Sequence, residues 1–233
     1  MTPILTYLNT ALFVVLPYVA LFTFFLVSIQ RYRTRPFTYS SQSSQFLENR
    51  RHFWALVPFH YGIIVVLTGH VVAFFIPRQI LAWNSHPLRL YVLEVSALVF
   101  GLLSVVGLVA MVVRRASDAK IKVVTSIPDW VVLGLLLVQI VGGVLVAVQY
   151  PWGTSWFAAA MAPYLWSLLW LKPDIATVTA LPALVKLHIV NAFLLIGFFP
   201  FSRMVHVLVM PNPYLWRRPQ VARWYGRRPT PVN

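Results

Sequence analysis

The sequence contains no cysteine and only five acidic residues, Glu48, Glu94, Asp118, Asp129 and Asp174. Without thiols there is no disulfide, no thiolate-ligated iron–sulfur cluster, no covalently attached c-type haem and no cysteine nucleophile. So few carboxylates argue against a carboxylate-bound metal centre or a paired-carboxylate hydrolase. Any redox cofactor held by this chain must hang on histidine. Charge of either sign is scarce: 10% of residues are charged and 59% hydrophobic, with a mean hydropathy of +0.75. A soluble domain has about 25% charged and roughly 45–50% apolar residues. The chain reads as all-α, a single polytopic membrane domain.

The net charge of +14 invites a nucleic-acid reading, which the placement of the charges removes. Basic residues cluster between apolar segments, as in cytoplasmic loops. Residues 1–30 carry no charge, and the apolar stretch from Ile4 to Ile29 ends at Arg31, Arg33 and Arg35. A signal peptide has its basic residues first and an apolar core of about 7–15 residues. This stretch instead predicts a retained helix at about 4–29 with its N-terminus outside. Further spans are expected at about 52–76, 90–113, 129–150 and 183–210. Residues 151–171 are apolar but carry Gly153, Pro151, Pro163 and four tryptophans, which favours an interfacial segment over a sixth span. The tail 211–233 is basic and expected on the cytoplasmic side. With five spans, fifteen of the nineteen Lys and Arg residues fall inside, against Arg78, Arg89, Lys172 and Lys186 outside. A sixth span would turn the arginine-rich tail outward.

Two of these spans carry histidines: His60 and His70 in one, His188 and His206 in the other. Imidazole in hydrocarbon is costly and normally faces a protein interior or binds something. The two spans run in opposite directions, so depth pairs His60 with His206 and His70 with His188. At 100° per residue, His188 and His206 return to one face, and His60 and His70 lie about 80° apart. At about 1.5 Å rise, the spacings are roughly 15 and 27 Å, so tilt or a bend at Pro58 or Pro200 must absorb the difference. One intramembrane histidine is often a packing residue; four, matched by depth on antiparallel helices, are hard to explain that way. His52 and His86 flank helices and read as ordinary loop or interface residues. Two bis-His haems, one per half of the bilayer, would form a transmembrane electron wire, and bis-His ligation leaves no open iron position.

The segments FHYGIIVVLTGH (Phe59–His70), KLHIVNAF (Lys186–Phe193) and FPFSRMVH (Phe199–His206) closely resemble the gamma subunit of respiratory nitrate reductase, a dihaem cytochrome b. The likeness covers nearly the whole chain, with the paired arginines Arg114 and Arg115 and the LLLVQ run (Leu135–Gln139) also fitting. The resemblance implies two haems b, the inner on His60 and His206 and the outer on His70 and His188. It implies quinol as substrate near the outer haem, and a prokaryotic cytoplasmic (inner) membrane location. It also implies an iron–sulfur beta subunit and a molybdenum-containing alpha subunit on the cytoplasmic side. The family's quinol site includes a lysine just before the third span, and Arg89 keeps that cation while changing its geometry. Gly69 matches the family's glycine beside the outer ligand, and Glu94 is a candidate relay for quinol protons. Arg203, Arg114 and Arg115 lie at the inner haem's depth and are candidates for its propionates.

Two other readings compete. A related dihaem cytochrome b could serve another cytoplasmic oxidoreductase, such as a nitrite oxidoreductase or a sulfite-reductase-associated complex. A haem-free anchor or transporter is the alternative from a different class, but the inverted repeats expected of a transporter are not evident.

Overall fold

A computed structural model describes residues 3–39 and 52–209, apart from the side chain of His52. Arg50 and Arg51, two of the fifteen basic residues expected inside, and the tail 211–233 lie outside the described residues. Those described are all-helical, and five helices are long and apolar enough to cross a membrane. They are α1 (Pro3–Thr34), α2 (His52–Phe75), α4 (Pro87–Ser117), α6 (Ile127–Gln149) and the span Ala183–Phe201, whose α-helical part is α9 (Ala183–Phe198). Short helices connect them: α3 (Pro77–Asn84), α5 (Ala119–Val123), a helical run α7 over 153–169, and α8 (Ala176–Thr179).

The helix boundaries follow local chemistry. Prolines 77 and 87 open α3 and α4 at a position where the missing N–H is harmless. Ser126 and Asp129 cap α6, Asp129 Oδ2 accepting from the Ser126 N–H at 2.8 Å. The spans extend past their apolar runs, α1 to Thr34 and α4 from Pro87 to Ser117. A helix does not have to stop at the hydrocarbon edge, and the arginines there continue it into the polar region.

Proline also explains the irregularities. Pro17 cannot donate to the Phe13 carbonyl four residues earlier, and α1 carries a π-helical turn at Ala11–Val15. The buried Tyr164 hydroxyl of α7 supplies the missing donor, reaching Phe13 O at 2.8 Å. The fifth span differs from the uniform 183–210 helix expected. Its α-helix ends at Phe198, followed by 3₁₀ turns at Phe199–Phe201 and Arg203–Leu208. Pro200 removes one ladder donor, and Ser202 between the two turns is extended, with ψ 176°. The continuous run of apolar residues concealed this break.

By contact the spans form a row: α2 against α4, α4 against α6, α6 against α9, and α9 against α1. The two histidine-bearing elements, α2 and α9, share at most grazing contact. α7 packs against both ends of the row, on α2 and α4 and, through a core of Phe13, Ala20, Val178 and Phe193, on α1 and α9. Two glycines draw α2 and α4 together. A Cβ on Gly62 would meet the Phe100 carbonyl and Ser104, and one on Gly107 would meet the Phe59 backbone. Such close approach holds helices together in a solvent as apolar as their own side chains.

Candidate haem and electron-transfer site

His60 and His70 lie on α2 and His188 on α9, whereas His206 lies in the 3₁₀ stretch beyond α9; three of the four are oriented by the same local device. His60 Nδ1 lies 2.8 Å from Leu56 O, His70 Nδ1 2.8 Å from Val66 O, and His206 Nδ1 2.7 Å from Arg203 O. A carbonyl can only accept, so each Nδ1 carries the proton and each Nε2 keeps its lone pair. This is the tautomer that an iron-ligating imidazole needs, with its second nitrogen oriented by a backbone carbonyl.

Around His70, α2 hides almost nothing: from Ile64 to Val72 only Val66 is even partly covered. Gly69 has nothing within 4 Å of where a Cβ would stand. The His70 ring meets Phe157 of α7 edge-on, centroids 5.1 Å apart.

His188 is held differently. Its Nε2 sits 3.2 Å from the Gln139 amide nitrogen, and Asn191 fixes that amide by donating to Gln139 Oε1 at 2.8 Å and Leu135 O at 3.0 Å. With its oxygen engaged, Gln139 presents NH₂ to the His188 lone pair. The His188 Nδ1 is buried without a hydrogen-bond partner, and Gly143 lies against the ring, where a Cβ would stand 2.9 Å from Cε1. An orphaned buried nitrogen is a costly feature that points to a further partner.

Near His206, α4, α6 and the 3₁₀ turn converge on Asp129. Arg203 Nε pairs with Asp129 Oδ1 at 2.9 Å, and Arg115 Nη1 lies 3.9 Å from Oδ2. Arg203 Nη2 also donates to Val124 O at 2.7 Å, and Arg115 to Thr125 Oγ1 at 3.2 Å. Arg114 is buried, 3% exposed. From α1, Arg31 donates to the carbonyls of Pro200 and Ser202, satisfying acceptors that the helix break releases.

The residues expected at the quinol site point to separate partners. Arg89 is exposed and stacks over Trp83 at 5.1 Å. Glu94 Oε1 accepts from the Thr154 N–H at 2.8 Å and its hydroxyl at 2.6 Å, anchoring the start of α7. Asn84 joins the same knot, donating to Thr154 Oγ1 and Ser155 Oγ. His86 is exposed and precedes α4 in extended conformation.

The donor set fits haem. Among the described residues no three His, Asp or Glu side chains converge as a bare ion would require, whereas a porphyrin needs one imidazole on each face. The free Nε2 atoms of His60, His70 and His206 and the open face at Gly69 suit that role. Haem at His188 requires the Gln139 amide to give up Nε2.

Gln139, Asn191 and Arg31 are missing from the sequence expectations. A signal existed for the first two, since each is a lone amide in an apolar run.

A five-span helical membrane protein with histidines on two separated spans is the class that this fold and site define. Within that class, the nitrate reductase gamma subunit family matches residues 9–225. The chain is 29% identical over 206 residues to the nitrate reductase gamma chain of Bacillus subtilis (strain 168), covering 87% of this chain and 92% of that one. It is 28% identical over 226 residues to the respiratory nitrate reductase 2 gamma chain of Escherichia coli (strain K12), covering 93% and 97%. A nitrate reductase-like protein, NarX, of Mycobacterium tuberculosis (strain CDC 1551 / Oshkosh) is 27% identical over 219 residues, which span 87% of this chain and 32% of that longer one. This chain belongs to the nitrate reductase gamma subunit family. It is a multi-pass membrane subunit of an oxidoreductase.

Proposed function

We propose that this chain is the quinol-oxidising cytochrome b of a respiratory nitrate reductase in a prokaryotic cytoplasmic membrane, N-terminus outside and C-terminus inside. It binds two haems b, on His60 with His206 near the inner face and on His70 with His188 near the outer face. Its partners are an iron–sulfur beta subunit and a molybdenum-containing alpha subunit on the cytoplasmic side. The observation that carries the reading is the shared orientation of His60, His70 and His206, each with Nδ1 committed to a carbonyl and Nε2 kept as a ligand. Haem, when bound, supplies one-electron redox chemistry between donor and acceptor.

The protein's own groups set the rest. The open face of Gly69 leaves room for a quinol ring beside His70, and the Arg89 guanidinium over Trp83 offers a cation to a quinol oxygen. Glu94, on Thr154, takes up protons released on oxidation. Arg114, Arg115 and Arg203 hold the inner propionates.

The test is a reduced-minus-oxidised visible spectrum of the purified complex, with haem quantified per chain. The expected result is two b-type haems per chain, falling to one in His70→Ala or His188→Ala. Absence of haem from the wild-type complex overturns the reading.

A further inference from the structure

His206 occupies the part of the fifth span that is no longer α-helical. Arg203–Leu208 forms a 3₁₀ stretch entered through extended Ser202. Such stretches have poorer hydrogen-bond geometry than an α-helix and are rarely long. The position of His206 therefore has to be fixed from outside its own element.

The fixing bonds can be followed atom by atom. His206 Nδ1 donates to the carbonyl of Arg203 at 2.7 Å. The side chain of the same Arg203 donates through Nε to Asp129 Oδ1 at 2.9 Å and through Nη2 to Val124 O at 2.7 Å. The carboxylate on α6 thus holds the guanidinium, and the guanidinium holds the backbone that orients the imidazole. Arg31 holds the preceding carbonyls from the opposite side.

Asp129 is 3% exposed, and capping does not require a buried charge. Neutral Ser or Asn caps a helix as well as Asp, and burying a carboxylate is costly unless it is paired. Here the pairing reaches out of α6 to Arg203, with Arg115 at 3.9 Å as a second cation.

We propose that Asp129, acting through Arg203, is a positioning residue that fixes the orientation and depth of His206 as an iron ligand. The inference rests on the bis-His reading. The test compares Asp129→Asn and Ser126→Ala in the complex purified with its partner subunits. Haem per chain and the electron paramagnetic resonance g-values of each low-spin haem are read, since g-values follow the orientation of the ligand rings.

Asp129→Asn is expected to shift or abolish the inner signal and weaken haem retention there by about 10–100-fold, the usual effect of losing an outer-shell partner. The outer signal stays as in the wild type. Ser126→Ala removes a capping contact at 2.9 Å to the same carboxylate but spares the Arg203 pair, so both signals stay.

Unmoved g-values in Asp129→Asn overturn the proposal, even if the inner potential changes, because a potential shift alone reports only a lost charge. Equal changes at both haems overturn it too, as general destabilisation. If Asp129→Asn does not assemble, Asp129→Glu decides: it keeps the charge but displaces the carboxylate from the Arg203 Nε, and an unmoved inner signal refutes the role. A wild-type complex without haem removes the bis-His reading itself, a separate failure.

Discussion

Gly107→Ala is the sharpest probe of how this bundle is assembled. In a helix, replacing glycine with alanine normally stabilises by about 1 kcal/mol. At Gly107 the sign should reverse. The new methyl would stand 2.8 Å from both the Phe59 Cα and Cβ of α2, and nearer still to the Phe59 backbone nitrogen. Ordinary carbon contacts are about 3.5–4.0 Å, so α2 and α4 must part by close to an ångström. The obstacle is chiefly backbone, which cannot rotate aside as a side chain does. Overpacking of this kind costs roughly 1–3 kcal/mol, and a backbone clash belongs at the upper end. Subtracting the propensity gain of about 1 kcal/mol leaves a net loss near 2 kcal/mol, about a 30-fold fall in the folded-to-unfolded ratio.

Gly134→Ala on α6 is the matched control, because nothing lies within 4 Å of its Cβ position. It should be neutral or stabilising. Reversible denaturant unfolding in detergent micelles, followed by circular dichroism, reads both variants. Under the proposed dihaem reading, Gly107→Ala should also broaden the signal of the haem on His60, which Phe59 adjoins. Equal stability of the two variants would refute the close-packed α2–α4 interface.

Other perturbations report on separate contacts. Tyr164→Phe removes the hydroxyl that donates to the carbonyl Pro17 strands, and the buried acceptor should cost about 1–3 kcal/mol in the same unfolding assay. Arg31→Ala releases the Pro200 and Ser202 carbonyls, and hydrogen exchange should accelerate over 199–208 while α2 stays protected. Gly69→Val should leave unfolding unchanged, since the site is open, yet slow quinol oxidation measured against an artificial acceptor. Glu94→Ala should speed proteolysis or exchange at 152–156 by freeing Thr154; unaltered exchange there would leave the carboxylate without its anchoring role.

The number of spans follows from the pattern of apolar runs alone. Hydrocarbon cannot hydrogen-bond a peptide group, so an apolar run of this length between arginine clusters has little choice but to become a helix. Proline placement alone did not say where regularity fails, since Pro58 lies within a continuous α2 while the fifth span breaks at Pro200; the four histidines stood out because imidazole is out of place in such runs. What the tertiary structure decided was which groups meet. Asp129 was legible as the start of a helix, but its bond to Arg203 joins residues far apart in the chain. Gln139 and Asn191 were visible only as stray amides until α6 and α9 were set side by side. Gly62 and Gly107 were two glycines among ten until each was seen against the backbone of the other's helix. Local sequence fixes a helix because its hydrogen bonds close within four residues. Helix pairing in a membrane depends instead on shape and on a few long-range polar bonds, which no stretch of sequence contains on its own.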